Sequence, residues 1–321
     1  MAKIAIIGAG QVGATTAYTL GISGLAEEIV LTDIHEKKAA GEALDIAHAL
    51  AAGKPVKVSS GGWDVLAGAD LVVMTAGANQ APGESRRALA DKNMRIMESV
   101  AGEIANRAPE CILLVVSNPV DALTRTAVYC TGFPPSRVMG SGTALDSMRF
   151  RWMLAAHTGL DPRNIHAYVL GEHGDSELPA WSITNIAGMD VGEYCRQCGG
   201  CNATLPERMK AEFDRDVRGA AYTIIENKGV TNYGVALAVH RIAQAVLRNE
   251  HAIHTVSTLL NGAYGLKDVC LSLPCVVGRS GVERVLSIPL SPEESVMLRH
   301  SADVVRSMAR ESAGESAALA H

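Results

Sequence analysis

The chain has no block of basic residues. Its 29 Lys and Arg are outnumbered by 34 Asp and Glu, for a net charge of −5, which argues against nucleic acid or an anionic membrane surface as a partner. Long apolar runs are missing as well. The strongest, such as residues 111–116, fall far short of the roughly 20 residues that a bilayer span needs. The N-terminal Met1-Ala2-Lys3-Ile4-Ala5-Ile6-Ile7 holds one lysine and no small-x-small cleavage pattern after a long apolar core, so it does not read as a secretion signal. Seven cysteines, an odd number in 321 residues, do not make the disulfide framework of a small secreted scaffold. Reduced thiols in the cytoplasm are the expected state. Internal repeats and low-complexity linkers are also missing. What is there, 48% apolar and 20% charged, suits a folded protein long enough for two subdomains or one large α/β unit.

The first half alternates apolar strands with helical segments. Residues 3–7 read as a strand buried on both faces, and Gly8-Ala9-Gly10-Gln11-Val12-Gly13 follows at once, opening a helix. A second strand at residues 28–32 ends at Asp33, twenty positions after Gly13. Gly8 permits a tight turn, Gly10 lets the backbone approach a pyrophosphate, and Gly13 lets the helix pack close to the strand. The helix N-terminus supplies N–H donors. Asp33 would accept hydrogen bonds from a ribose diol and repel a 2′-phosphate, which favours NAD over NADP. Further strands are expected at residues 56–58, 70–75, 111–116 and 137–140, with a helix over 35–50. This alternation predicts a Rossmann-type doubly wound parallel sheet, with ligands beyond the carboxyl ends of its strands. Gly8, Asp33, Gly77 and Asn118 then line one edge.

Gly171-Glu172-His173-Gly174-Asp175 follows the apolar Ala167-Tyr168-Val169-Leu170. His173 should therefore sit in a tight turn past a strand end, with glycines on both sides leaving room beside the imidazole. Asp146 and Arg149, three apart in a helical segment, share a face. They read either as an exposed ion pair or as groups aimed at the same site as His173.

Together these segments resemble the L-lactate and malate dehydrogenase family. The matches are residues 8–13, the loop Ala78-Asn79-Gln80-Ala81-Pro82-Gly83-Glu84-Ser85-Arg86, Ser117-Asn118-Pro119-Val120-Asp121, residues 145–151, residues 171–175 and Lys228-Gly229-Val230-Thr231-Asn232-Tyr233-Gly234. They occur in the family's order and spacing over nearly the whole chain. The resemblance implies an NAD-binding unit at 1–141 and an α+β substrate and catalytic unit at 142–321. It implies hydride transfer between NADH and pyruvate, giving L-lactate, in a cytoplasmic homotetramer serving glycolysis and fermentation. His173 would exchange the proton, Asp146 would fix its tautomer and raise its pKa, and Arg149 would clamp the substrate carboxylate with two parallel hydrogen bonds. Arg86, on a closing loop, would polarise the carbonyl, and Asn118 would sit near the substrate oxygen and the nicotinamide. Gly8, Gly10, Gln11, Val12, Gly13, Asp33, Gly77 and Asn118 would hold NAD. Gln80 stands where malate-specific members carry arginine. A second substrate carboxylate would be buried there without a countercharge, which disfavours oxaloacetate. Thr231 matches the small residue that completes the lactate pocket. Longer 2-keto acids of the 2-ketoisocaproate type stay as an alternative.

Arg151 and His166 resemble the intersubunit anion site of bacterial members regulated by fructose 1,6-bisphosphate; an ordinary interface ion pair and a strand residue are the plainer account. Cys195, Cys198 and Cys201 have spacing that suggests zinc or an iron–sulfur cluster, but a fourth ligand at close spacing is missing. Surface thiols and no metal are expected. Beyond them, helices are predicted over residues 206–227 and 237–247. An antiparallel meander follows between 252 and 288, and then a final helix from a Ser291-Pro292-Glu293-Glu294 capping box to about 310. Two other function classes stay in view. An NAD-dependent glycosidase would need a metal site, and a non-catalytic NAD sensor would leave Asp146, Arg149 and His173 without work.

Overall fold

The computed structural model describes residues 2–78, 85–198 and 207–318, except the side chains of residues 86, 207, 208 and 309–318. The elements of the first half are β1 (Lys3–Ile7), α1 (Gln11–Ser23), β2 (Glu28–Thr32), α2 (Glu36–Leu50), β3 (Lys57–Ser60), β4 (Leu71–Met74), α3 (Arg86–Arg107), β5 (Ile112–Val115), α4 (Val120–Thr131) and β6 (Val138–Gly140). β4 and β5 are buried at every position. They are covered on both faces, so their sequences are continuously apolar rather than alternating. The parallel strands lie in the order β6-β5-β4-β1-β2-β3. One face is covered by Leu20, Ile46 and Leu50 of α1 and α2, the other by Met94, Met97, Ile104 and Leu123 of α3 and α4. The direction of strand order reverses between β1 and β4, and such a switch point opens a crevice beyond the strands' carboxyl ends.

The second half begins with α5 (Ala144–Thr158) and a run of two-residue strands, β7 (Ile165–His166), β8 (Val169–Leu170), β9 (Leu178–Pro179), β10 (Asn185–Ile186) and β11 (Met189–Asp190). It continues with α6 (Val191–Gln197), α7 (Glu207–Lys228), α8 (Tyr233–Arg248), β12 (Ala252–Asn261), β13 (Lys267–Gly278), β14 (Gly281–Val285) and α9 (Pro292–Ala318). The meander β12–β14 is antiparallel, as its alternating runs and glycine punctuation predict. It is not a separate layer, however. Ser257 of β12 pairs with Gly140 of β6, which extends the parallel sheet to nine strands. A Cβ on Gly140 would lie 2.5 Å from Thr124 Oγ1 and 3.0 Å from Ser257 Cβ, so the seam closes because that position is glycine. α8 packs its buried Ile242 and Val246 into the same core as α1 and α2.

The capping box forms in both directions. Ser291 Oγ accepts from the Glu294 N–H at 3.1 Å, and Glu294 Oε2 accepts from the Ser291 N–H at 2.9 Å. α9 then runs to Ala318, past the expected end near residue 310. Its buried Ser301 accepts a hydrogen bond from the Glu172 N–H at 2.6 Å, which anchors the segment carrying His173. Ser291→Ala should lower stability by about 1 kcal/mol, as loss of an N-cap does. A chemical-denaturation midpoint unchanged from wild type would contradict this.

Candidate active site

At the switch point the chain leaves β1 into a turn that only glycine suits. Gly8 has φ +103°, and a Cβ on it would lie 2.6 Å from Ala76 N. A Cβ on Gly13 would lie 1.9 Å from the Gly8 carbonyl oxygen, so α1 is seated directly on the turn. Gly10 differs: no atom lies within 4 Å of where its Cβ would be, and no side chain caps α1. Backbone N–H groups at the helix start, beside Gln11 and Val12, thus face space that an anionic diphosphate could fill. Asp33 sits past the end of β2. Its Oδ2 accepts from the Ala9 N–H at 2.7 Å and its Oδ1 from the His35 N–H at 2.9 Å. The carboxylate is thereby fixed at the rim of the same crevice. These residues fit a dinucleotide.

Two further loops close on this crevice through Asn93 of α3, a buried amide. Its Oδ1 accepts from the Ala78 N–H at 2.7 Å, beside Gly77, and its Nδ2 donates to the Asn118 carbonyl at 2.8 Å. Asn118 itself is exposed. Thr231 lies in the loop between α7 and α8. Its neighbour Asn232 donates to Thr15 Oγ1 of α1 at 2.9 Å and accepts from Lys228 Nζ at 2.8 Å, which holds that loop against the first turns of α1. Gln80 lies outside the described residues. Arg86 is the first residue of α3, and only its backbone is described.

The polar centre is built around Asp146, 1% exposed in the first turn of α5. Its Oδ2 lies 2.6 Å from His173 Nδ1, and its Oδ1 accepts from Arg149 Nη1 at 2.7 Å. The two readings of the Asp146/Arg149 pair are therefore both partly right: it is an i,i+3 ion pair, but a buried one that also holds the histidine. His173 is further fixed by its backbone, whose N–H donates to Asp121 Oδ2 at 2.8 Å. The flanking glycines also serve the packing of the turn itself. Gly171 has φ +89°, and its Cβ position is taken by Ser301 Oγ at 2.6 Å; that of Gly174 is taken by Glu172 Oε1 at 2.7 Å. They let the turn pack against its own support.

Burial works against a charged imidazole, yet the charge of the Asp146 carboxylate and its hydrogen bond outweigh it. The His173 pKa is pushed up to about 9. Burial would raise Asp146, but His173 and Arg149 hold it below the ordinary carboxylate range. Burial pushes Asp121 up to about 6 despite hydrogen bonds from Ser257 and the His173 N–H. Glu177, 3% exposed, is raised well above the usual range by burial and by Asp146.

A known family accounts for this arrangement. Residues 2–140 match the NAD binding domain of the lactate/malate dehydrogenases, and residues 143–314 match that family's alpha/beta C-terminal domain. The chain belongs to the lactate/malate dehydrogenase family. It is 51% identical over 312 residues to the L-lactate dehydrogenase of Thermoanaerobacter pseudethanolicus, covering 97% of this chain and 99% of that one. To the L-lactate dehydrogenase of Acetivibrio thermocellus it is 49% identical over 304 residues, 95% of each. Among solved structures, the ligands-bound minor L-lactate dehydrogenase of Enterococcus mundtii superposes with a TM-score of 0.92 at 38% identity, covering 97% of this chain and 98% of that one.

In this dehydrogenase fold Arg151 and His166 lie near each other. Arg151 Nε donates to the Ala167 carbonyl at 3.1 Å, one residue past the exposed His166, and its guanidinium stands 5.8 Å from the Tyr168 ring. Cys195 is not a surface thiol; it is fully buried against the apolar cluster of Phe150 and Leu154, while Cys198 is exposed and Cys201 lies outside the described residues. Asp121, Asn93 and Glu177 were not singled out as functional from the sequence. An acid in the first turn of α4, directly after the apolar β5 and its Ser117-Asn118-Pro119 end, is the available signal for Asp121. Asn93 and Glu177 stand in polar surroundings with no pattern to mark them.

The raised His173 pKa has a stability consequence. A folded-state pKa above the unfolded value contributes stability that is complete below about 6.5 and is lost as pH rises through about 9. Histidine NMR should show His173 titrating near 9 in the wild type. In Asp146→Asn the titration should move down by more than one unit. An unmoved titration would contradict the assigned cause.

Proposed function

We propose that this chain is an NAD-dependent L-lactate dehydrogenase that interconverts pyruvate and L-lactate. The observation that carries the reading is the single buried carboxylate of Asp146 holding both a proton donor, His173, and a carboxylate-binding guanidinium, Arg149, in a chain that also carries a dinucleotide turn at Gly8–Gly13. NAD, when bound, supplies the carbon that gives or takes the hydride. Gly8, Gly10, Gln11, Val12, Gly13, Asp33 and Gly77 would hold it, with Asn118 at the nicotinamide end.

His173 donates the proton from Nε2 to the substrate oxygen in reduction and takes it back in oxidation. Its Nδ1–H stays on Asp146, which fixes the tautomer and stabilises the imidazolium. Arg149 spends one of its five N–H donors on Asp146 and offers the others to the substrate carboxylate. Arg86 is the candidate for polarising the carbonyl, and Gln80 and Thr231 for shaping the far end of the pocket. Because reduction needs the imidazolium, its rate should fall as pH rises through about 9, while lactate oxidation should fall as pH drops below it.

The proposal extends to a cytoplasmic homotetramer working in fermentation, divided at residues 141 and 142, with fructose 1,6-bisphosphate as effector. Among the described residues no helix is long and apolar enough to cross a membrane. Arg151 and His166 are the candidate effector ligands, since such groups brought together from paired subunits could clamp a phosphate and favour one quaternary state.

NADH turnover with pyruvate, oxaloacetate and 2-ketoisocaproate, compared side by side, should favour pyruvate. Preference for oxaloacetate would overturn the role given to Gln80. His173→Asn should retain NADH binding and lose roughly 10²–10⁴-fold in turnover, and retained turnover would place the proton donor elsewhere. Fructose 1,6-bisphosphate should lower the KM for pyruvate in the wild type and have no effect in Arg151→Gln. An unresponsive wild type would remove the effector from the account.

A further inference from the structure

Glu177 is the group in this centre that the mechanism leaves unused. It is 3% exposed, and its Oε1 is buried with no hydrogen-bond partner among the described residues. Ligand atoms of Asp146, His173 and Glu177 lie within 4.8 Å of one another. The backbone at this position is held on both sides. The Glu177 N–H donates to the Gly174 carbonyl at 3.2 Å, and Arg218 Nε of α7 donates to the Glu177 carbonyl at 3.1 Å. The charged groups facing the carboxyl are Asp146 and Arg149 from α5, His173 from its own turn, and Arg218 from α7.

Two carboxyl groups this close, each buried, cannot both ionise cheaply. Asp146 has hydrogen bonds on both oxygens from cationic partners; Glu177 Oε1 has none among the described residues. The environments therefore sort the pair, with the charge on Asp146 and the proton on Glu177. Burial and Asp146 act on Glu177 in that same direction.

Resting on the site reading above, we propose that Glu177 carries a proton in the working enzyme and is a positioning residue whose ionisation switches off substrate binding. Neutral Glu177 leaves Arg149 and the imidazolium available to an incoming carboxylate. Ionised Glu177 places a second buried negative charge beside them. It attracts the same two cations and repels the anionic substrate, so affinity for a 2-keto acid falls as that proton is lost. The effect belongs to binding, not to hydride transfer.

The test is the pH dependence of oxamate binding to the enzyme–NADH complex, in wild type and in Glu177→Gln, whose amide matches the neutral acid in shape. The wild type should lose affinity over two proton losses, Glu177 and His173, approaching about a hundredfold per pH unit at high pH, and the variant over one, at about tenfold per unit. An infrared difference spectrum at neutral pH, wild type minus Glu177→Gln, should contain the C=O stretch of a protonated carboxylic acid. Identical binding profiles, or a difference spectrum showing only carboxylate bands, would overturn the proposal. Failure of oxamate to bind at any pH would instead count against the site reading itself.

Discussion

The centre depends on one carboxylate with two obligations. Asp146 is buried, so its charge is tolerable only because His173 and Arg149 bond its two oxygens. That requirement works in both directions: the acid holds the ring and the guanidinium, and they hold it ionised. Breaking either bond leaves a charge uncompensated in a water-poor site, a penalty of several kcal/mol. The proton donor and the carboxylate clamp are thus one unit rather than two neighbours.

The rest of the fold can be understood as the support for that unit. α5 presents Asp146 and Arg149 on one face, while the turn after β8 brings His173 to them. Asp121 of α4 takes the His173 N–H and the Ser257 hydroxyl, so the first half of the chain holds the histidine directly, and β12 is tied in at the same point. Ser301 of α9 anchors the other side of the turn. The nine-stranded sheet, continuous through Gly140 and Ser257, fixes the dinucleotide crevice relative to these groups.

Much of this was legible from residue order. Continuous apolar strands ending in Gly8 and Asp33 specify a parallel sheet and its crevice, because burial on both faces and a left-handed turn each leave a mark in the sequence. Asp146, Arg149 and His173 were identifiable because their spacing and order resemble a family's. What was not legible arises from contacts between distant segments. The union of the meander with β6 depends on a missing side chain at residue 140, and the work of Gly171 and Gly174 depends on Ser301 and Glu172 filling the space. The burial of Cys195 reflects packing beneath α5, which a cysteine spacing pattern cannot reveal. Glu177 reads as one more polar residue until its solvent is counted.

A crystal structure of the enzyme with NADH and oxamate, a pyruvate isostere that cannot be reduced, tests the central claim most directly. The account predicts the oxamate carboxylate on Arg149 through two parallel hydrogen bonds, its carbonyl oxygen within hydrogen-bond reach of His173 Nε2, and Asp146 still bonded to both residues. An oxamate carboxylate bound away from Arg149, or a His173 ring turned off Asp146, would contradict it.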